Sequence, residues 1–541
     1  MKFIIPAILL FLFFGCKEAP NSSIQESSDL SAISSKDFRE FKVLDSKYID
    51  PDEVWQPFEN VLKDFTQDYH DKLKSMILEQ DIPTIQTHIN SGSLSYLDLT
   101  RFYLFRIKKF DRENEQSLNS VISVNPDVIE QARERDRELK NKMAKHPIFG
   151  MPILLKDNIN ASSMATTAGA VAMMDNFTQD AFIVERLKEN GALILGKTNL
   201  SEWAYFFCGD CPSGYSAVGG QTLNPYGRRI IDTGGSSSGS GVAVAANFCA
   251  AAIGSETSGS ILSPSSQNSI VGLKPTVGLI SRSGIVPISS TLDTTGPMTK
   301  NVTDNAILLD AIYGYDKNDM ASFATEIQPF YKLGTGNKLK GMRFGAVKRL
   351  MEDSLYVNAI EVLKSKGAKI IEIEEEEIEL PGFRRLLNLD MRKDLPKYLE
   401  NYAGNLITVG SVQDIIEFND TDSLNIAPYG QKLFKGIVAD KGNLKDLRRI
   451  IDTLSRNGKT YFEIPMQEEN LDGFLSINNY HAGFAAVAKY PALTVPMGYD
   501  DKGVPKGLTF IGKPHSEKFL IEWAKDYEQF SSERKFPDLY N

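Results

Sequence analysis

The sequence predicts a layered α/β protein built on a largely parallel or mixed β-sheet. From Pro147 onwards, short apolar runs alternate with segments of helical period. The chain has 541 residues, of which 42% are hydrophobic and 24% charged, as is typical of a globular protein with a sizeable core. The formal net charge is -10 and no local basic patch stands out, so nucleic acid is not expected as a partner.

The N-terminus predicts an exported protein. Met1-Lys2 and the apolar run 3–14 have the features of a signal peptide, here residues 1–15, and the run is too short to span a bilayer. The sequence Phe13-Phe14-Gly15-Cys16 resembles the lipobox of bacterial lipoproteins, with Phe13 in place of the usual Leu. This resemblance implies lipidation of Cys16 and anchoring to a bacterial membrane, facing the periplasm or the cell surface. An uncleaved anchor and an ordinary signal peptide are the alternatives.

A flexible tether is expected over residues 16–50, because residues 17–35 are rich in Ser, Glu and Asp and have few large apolar side chains. The rest of the chain, residues 51–541, is expected to form one domain. Apolar periodicity predicts helices over 59–78 and 128–143.

The first chemically informative element is a strand that ends in a lysine. The sequence Gly150 to Asn158 reads as a buried strand with Lys156 where the apolar run stops, followed by a helix over 182–190 and a strand over 192–195. A lysine at a strand end is usually a surface residue, so Lys156 gains importance only in combination with motifs further along the chain.

Two loops rich in Gly and Ser come next. The run Thr233 to Gly241 leads without a break into a small-residue helix over 242–250. A flexible linker would not be expected to do so, and a tight loop at a helix N-terminus, with free N–H groups, is the better interpretation. After a strand over 251–254, the loop Ser255 to Ile261 carries glycine and serine again.

Together these motifs resemble the amidase signature family. The resemblance rests on Lys156, the Gly-Gly-Ser-Ser run ending at Ser237, the Thr-x-Gly-Ser-Ile loop 257–261 and Val-Gly-Leu-Lys-Pro-Thr at 271–276. Lys156 and Ser236 are 80 residues apart, and Ser236 and Ser260 are 24 apart. The resemblance covers about 54–530 and implies the amidase signature fold, a large mixed central β-sheet covered by helices on both faces. It further implies a catalytic core at about 147–300 and a variable, helical substrate-covering region at about 338–470.

The resemblance also implies a role for each matched residue. Ser260 would be the nucleophile, Ser236 a bridging serine preceded by a cis peptide bond, and Lys156 the base. A lysine can act as a base only when neutral, so burial must lower its pKa. The backbone N–H groups of Thr257, Ser258, Gly259 and Ser260 would bind the oxyanion and the substrate. Ser237 would make a further hydrogen bond within the relay.

The expected reaction is hydrolysis of carboxamide C–N bonds through an acyl-enzyme, on small-molecule or peptide amides and not on peptide backbones. The segment 478–488 and Ser263-Pro264-Ser265 are closer to the peptide-amidase-like branch. No metal and no other cofactor are expected, because the five histidines are far apart and none has metal-ligand spacing. Cys208 and Cys211 are either a local disulfide or two loop thiols.

Two other functions fit parts of the sequence. Gly235-Ser-Ser237-Ser-Gly239 matches the nucleophile elbow of α/β-hydrolases, which would make Ser237 the nucleophile of an esterase, with His481 or His515 as its partner. A non-catalytic amide-binding lipoprotein is the second alternative. The acidic run 372–377 is expected to be an exposed strand and not a metal site.

Overall fold

The computed structural model describes residues 38–112, 114–139, 145–325, 329–375 and 377–541. The predicted signal peptide and Cys16 lie outside these residues. Within the described ranges, no helix is both long and apolar enough to cross a bilayer.

Most strands belong to one large sheet. In the described residues, eleven strands pair in the order β1-β3-β2-β6-β8-β7-β12-β13-β11-β9-β10, and β4 and β5 form a small separate ladder. The strands are Val121–Val124 (β1), Pro152–Lys156 (β2), Leu193–Thr198 (β3), Tyr215–Ser216 (β4), Gly220–Gln221 (β5), Ala251–Glu256 (β6), Val271–Lys274 (β7), Thr294–Thr299 (β8), Arg343–Val347 (β9), Lys369–Ile373 (β10), Gly473–Ile477 (β11), Ala492–Tyr499 (β12) and Pro505–Ile511 (β13).

Helices flank this sheet. The α-helices of the described residues are Pro51–Trp55 (α1), Glu59–Leu62 (α2), Gln67–Ile77 (α3), Ile82–Asn90 (α4), Tyr96–Phe110 (α5), Val128–Glu138 (α6), Phe182–Glu189 (α7), Ser238–Ala245 (α8), Leu262–Gln267 (α9), Val302–Ile312 (α10), Ser354–Ser365 (α11), Phe383–Asn401 (α12), Val412–Asp420 (α13), Ser423–Ile426 (α14), Lys432–Ala439 (α15), Leu444–Glu468 (α16), Ala482–Ala488 (α17) and Glu517–Ser531 (α18).

The sheet is mixed, and the predicted fold class is confirmed. β2 pairs in parallel with both β3 and β6, whereas β8, β7, β12 and β13 follow in antiparallel pairs. Every residue of β2, β3 and β6 is buried, which explains their continuous apolar runs. Because β2 and β6 are parallel, their carboxyl ends, at Lys156 and Glu256, lie at the same edge of the sheet.

The small residues of α8 allow this helix to lie close to the sheet, where it packs on β2, β3, β6 and β8. A Cβ on Gly239 would stand 2.4 Å from the backbone oxygen of Ser120 and 2.5 Å from that of Asn199. Only glycine fits at this position, so the Gly/Ser run is a packed helix start and not a linker.

The region predicted as a helical cover is only partly helical. Residues 338–373 supply β9, β10 and α11 to the central sheet and its flank. The helical layer consists of α12 to α16, and apolar side chains of α12, α13, α15 and α16 share a separate core with Trp203 and Phe207. The expectation failed for the first part because the two short strands there, of five residues each, carry little distinctive pattern.

Two other boundaries differ from the sequence prediction. The helix expected over 59–78 is broken, because the Thr66 hydroxyl caps α3 by accepting the N–H of Tyr69 at 3.2 Å. Residues 40–50, predicted to be part of the tether, belong to the compact unit that runs from Glu40 to Asn541. The Gln221 N–H donates to the Leu44 carbonyl at 2.8 Å, which fixes this segment on the domain.

Candidate active site

Lys156 lies at the carboxyl end of β2 and is completely buried. Its ammonium nitrogen is 2.7 Å from the Ser236 hydroxyl oxygen. It also contacts the Ser255 hydroxyl at 2.9 Å and the Ser255 carbonyl at 3.2 Å. The parallel pairing of β2 with β6 brings Lys156 and Ser255 together, since both are at the same edge of the sheet.

Burial lowers the pKa of the Lys156 amine from its ordinary 10.5 to about 7. Two nearby carboxylates, Asp293 and Glu256, act in the opposite direction and raise it, but burial dominates. A large fraction of this lysine is therefore neutral near pH 7, which is the form that can accept a proton.

The Gly/Ser loop before α8 presents Ser236 to the lysine. The Gly235–Ser236 peptide bond is cis, as the family resemblance implies. The Ser236 carbonyl accepts the Ser201 N–H at 3.0 Å, and Ser236 is fully buried. The backbone around Ser236 is thus held on one side by the 201–214 segment and on the other by α8.

The second serine loop is tied directly to the first. The Ser237 N–H donates to the Ser260 carbonyl at 3.2 Å. The Glu256 carboxylate accepts the N–H groups of Ile261 and Leu262 at 2.8 and 3.1 Å, which folds the loop back on the end of β6. Ser260 exposes 9% of its surface whereas Lys156 and Ser236 expose none, so of these three residues only Ser260 can meet a substrate.

The same loop presents backbone donors. Gly259 has a φ of +82°, a left-handed conformation that glycine adopts without cost. Within the described part of the chain, the N–H groups of Thr257, Ser258, Gly259 and Ser260 make no hydrogen bond to protein. Four such groups in one turn are suited to bind an oxyanion.

Asp293 is a site residue for which the sequence motifs indicate no role. Its carboxylate accepts the Thr257 hydroxyl at 2.5 Å and the N–H groups of Ile288 and Ser289 at 2.8 Å. Burial raises the pKa of Asp293 to about 6. Ser255 was also missed, since only the strand pairing reveals that it contacts Lys156.

A cavity of about 820 Å³ opens beside these loops. Ser255, Glu256 and Thr257 form part of its wall, and α12 forms another part. Ser260 itself is not among the wall residues, so the cavity adjoins the loop 257–261 and does not enclose Ser260. Its size suits a small ligand or a few residues of a peptide.

The nucleophile-elbow interpretation does not fit the contacts of Ser237. The Ser237 hydroxyl donates to the Ser255 carbonyl and accepts the Ser255 N–H. The His481 ring instead contacts Ser476 and Glu375, at 2.5 and 3.1 Å. In the residues that the structure describes, no histidine is therefore bonded to Ser237.

The remaining sequence predictions concern metals, cysteines and the acidic run. Over the described ranges, no group of three His, Cys, Asp or Glu side chains could hold a metal ion. Cys208 and Cys211 are joined in a disulfide. The strand β10 ends at Ile373, before most of the acidic run, and Glu374 and Glu375 pair with Lys348 and Arg349.

A buried lysine of lowered pKa bonded to a serine, next to a second serine loop with free N–H groups, is the arrangement of a serine hydrolase that uses a lysine base. Comparison with known proteins identifies the family within this class of hydrolases. The sequence model of the Amidase family matches residues 98–425, and the chain belongs to this family. It is an amidase, a hydrolase of carboxamide C–N bonds.

Relatives and solved structures agree with this assignment. A probable amidase of Arabidopsis thaliana is 38% identical over 479 residues, covering 85% of this chain and 92% of that protein. An amidase family protein from Bacillus anthracis superposes with a TM-score of 0.86 at 36% identity, over 91% of this chain and 99% of that one. The peptide amidase from Stenotrophomonas maltophilia gives a TM-score of 0.80 at 38% identity, over 85% and 98% of the two chains.

Proposed function

We propose that this amidase acts through an acyl-enzyme on Ser260, with Ser236 as the proton bridge and Lys156 as the base. The main support for this proposal is the position and the pKa of Lys156. The fully buried Lys156 amine stands 2.7 Å from the Ser236 hydroxyl, with its pKa lowered to about 7. A serine hydroxyl needs such a base to become a nucleophile.

The three contacts of Lys156 can be made by an ammonium, which has three N–H donors, and also by the neutral amine that the mechanism needs, which has two N–H donors and one lone pair. The Ser255 carbonyl can only accept, so it takes one N–H, at 3.2 Å. The Ser255 hydroxyl takes the other, at 2.9 Å. The lone pair is then free to accept the Ser236 O–H, which is the direction of proton transfer that the mechanism needs.

In the first step, the Ser260 Oγ forms a bond to the amide carbon as its proton passes to Ser236 and the Ser236 proton passes to Lys156. The carbonyl electron pair moves to the oxygen, which the N–H groups of residues 257–260 bind. A well-placed donor of this kind contributes about 3 kcal/mol to barrier lowering. The C–N bond then breaks, and the relay returns the proton to the departing nitrogen. Water attacks the acyl-enzyme with the same relay as base, which releases the acid and frees Ser260.

For the substrate, we propose small-molecule or peptide carboxamides, as in the peptide-amidase-like branch. The support is the 38% identity to the Stenotrophomonas maltophilia peptide amidase, together with the cavity of about 820 Å³. We also propose that the protein is exported and lipid-anchored through Cys16, on the basis of the sequence 1–16.

The deciding experiment for the chemistry is fluorophosphonate labelling of the chain from Lys17, followed by peptide mapping of the modified serine. We expect the label on Ser260, and we expect ammonia release from a panel of carboxamides to disappear in Ser260→Ala. A label on Ser237 would instead support the esterase alternative. Neither labelling nor ammonia release would support the non-catalytic alternative.

The anchor is tested in a bacterial host with an alkyne-bearing fatty acid. The full chain should acquire the fatty acid and sediment with membranes, and Cys16→Ser should lose both properties while retaining amidase activity. Equal membrane association of the two chains would overturn the lipid-anchor proposal and leave the amidase mechanism untouched.

A further inference from the structure

Lys489 is a residue of the cavity wall that the proposed mechanism does not use. It follows α17 directly and lines the same cavity as Ser255 and Thr257. The cavity wall also carries three other cations, Arg282, Lys393 and Lys397, and four carboxylates, which belong to Glu256, Asp293, Asp319 and Asp394. The position of Lys489 is therefore suited to contact a substrate whose amide lies at the Ser260 loop.

The backbone at Lys489 favours glycine. Its φ is +60° and its ψ is 29°, a left-handed conformation at the C-terminus of a helix. The Lys489 N–H donates to the Ala486 carbonyl at 3.0 Å, so this conformation is part of the helix end. Glycine takes such a position without strain, whereas any residue with a Cβ takes it at a cost. A lysine here suggests that its side chain has a use that outweighs this cost.

The charges around Lys489 are also unfavourable. Lys489 is an exposed residue whose partial burial lowers the pKa of its amine, and Arg282 and Lys459 lower that pKa further. Among the described residues, its ammonium makes no hydrogen bond and no ion pair. In the described part of the chain the Lys397 ammonium likewise has no carboxylate partner, whereas the other two cations of the wall are paired. Arg282 pairs with Asp319, and Lys393 pairs with Asp390 at 2.9 Å.

A cation placed beside other cations and facing a cavity is stabilised when an anion enters that cavity. We infer that Lys489 determines specificity by binding an anionic group, a carboxylate, on the acyl part of the amide substrate. This inference rests on the proposed function, because it assumes that the cavity receives the substrate of the Ser260 loop. It narrows the substrate class to amides that carry a negative charge at a distance from the scissile bond.

The test compares matched substrates. Monoamides of dicarboxylic acids with four to eight carbons are each paired with their methyl esters, which remove the charge and keep the amide. Ammonia release gives kcat/KM for both members of a pair, and their ratio reports recognition of the carboxylate. The variants are Lys489→Met, Lys489→Arg and Lys489→Gly. Lys459→Met is the matched control, because Lys459 is a neighbouring exposed lysine that does not line the cavity.

We expect the wild-type enzyme to prefer the acid at one or more chain lengths. A charge-assisted contact contributes enough for that preference to fall about tenfold in Lys489→Met and Lys489→Gly, mainly through KM. The preference should be retained in Lys489→Arg and unchanged in Lys459→Met. Equal preference in Lys489→Met and wild type at every length would overturn the inference, as would an equal loss in Lys459→Met. Absence of ammonia release from both the esters and the acids, in wild type, would instead count against the proposed function.

Stability gives an independent readout. Lys489→Gly should have a higher urea midpoint than Lys489→Met, because glycine relieves the left-handed backbone that both lysine and methionine occupy at a cost. A variant that is more stable and yet less able to distinguish acid from ester would identify Lys489 as a residue kept for binding. A lower midpoint for Lys489→Gly than for Lys489→Met would refute the backbone part of the argument.

Discussion

The titration of Lys156 gives the sharpest prediction for the mechanism. With a pKa of about 7, about 70% of this lysine is neutral at pH 7.4, whereas a lysine at the ordinary 10.5 would be about 0.1% neutral. The lowered pKa thus supplies nearly three orders of magnitude more base. Because the base must be neutral, kcat/KM for a neutral primary amide should rise about tenfold per pH unit up to pH 7 and level off above pH 8.

A second variant tests the origin of that pKa. The Asp293 carboxylate raises the pKa of Lys156, so Asp293→Asn should move the acidic limb of the profile to lower pH. The assay is initial-rate ammonia release between pH 5 and 9 with substrate well below KM, so that the profile reports the free enzyme. A flat profile in the wild type, or near-normal activity of Lys156→Met at pH 7.4, would refute the lysine-base mechanism. A shift of the limb to higher pH in Asp293→Asn would refute the electrostatic account.

Three further predictions concern the same loops. Lys156→Met should be more stable than wild type at pH 8 by up to about 3 kcal/mol, because folded wild type must give up a proton that the unfolded chain keeps up to pH 10.5. This difference in the free energy of unfolding should shrink as the pH rises from 7 to 10.5. Urea unfolding at several pH values measures it, and a difference that grows with pH would contradict the prediction. Gly259→Ala should lose most activity, since the new Cβ would stand 2.9 Å from the Asn479 side chain and the backbone φ is +82°. The control Gly430→Ala should keep its activity, because Gly430 has a similar φ of +76° but lies in open space. Equal kcat values for the two variants would contradict the prediction. Ser255→Ala should lower kcat about tenfold, because it removes a hydroxyl that accepts a hydrogen bond from the Lys156 amine at 2.9 Å. The fluorophosphonate label should remain on Ser260. An unchanged kcat would show that the Ser255 hydroxyl has no part in the relay.

The sequence predicted those parts of the site that short motifs encode. Lys156 ends an uninterrupted apolar run, which predicts a buried strand, and the Gly/Ser run enters a helix of small residues, which predicts a tight loop. Glycines at 239 and 259 are required by close backbone approach and by a left-handed φ. The strand, the tight loop and the left-handed turn are local features, so the pattern of neighbouring residues is sufficient to indicate them, whereas the contacts that require Gly239 come from the distant residues Ser120 and Asn199.

Other parts depend on contacts between distant segments. The roles of Ser255 and Asp293 follow from the pairing of β6 with β2 and β8, which brings together residues about 100 and 40 positions apart. The strand β9 was missed, and β10 was predicted only at its end, within the acidic run 372–377, because their short apolar patterns gain meaning only from the parallel pairing of β9 with β10 and β11. The charges around Lys489 could not be predicted from the sequence either, because Arg282 and Lys459 lie in segments distant from it along the chain.

Burial lowers the pKa of Lys156, and the nearby carboxylates of Asp293 and Glu256 raise it. Both carboxylates also have a structural role, since Asp293 holds Thr257 by its hydroxyl and Glu256 holds the backbone at Ile261 and Leu262. Their charges therefore shape the loop that would bind the oxyanion. The same charges keep the Lys156 pKa from falling further. This limit is useful, since the relay must return the proton to the departing nitrogen, and a group of much lower pKa would be a good acid but too weak a base near pH 7. A pKa close to 7 allows one amine to serve both steps, and in this site the carboxylates that limit the effect of burial on that pKa also shape the Ser260 loop.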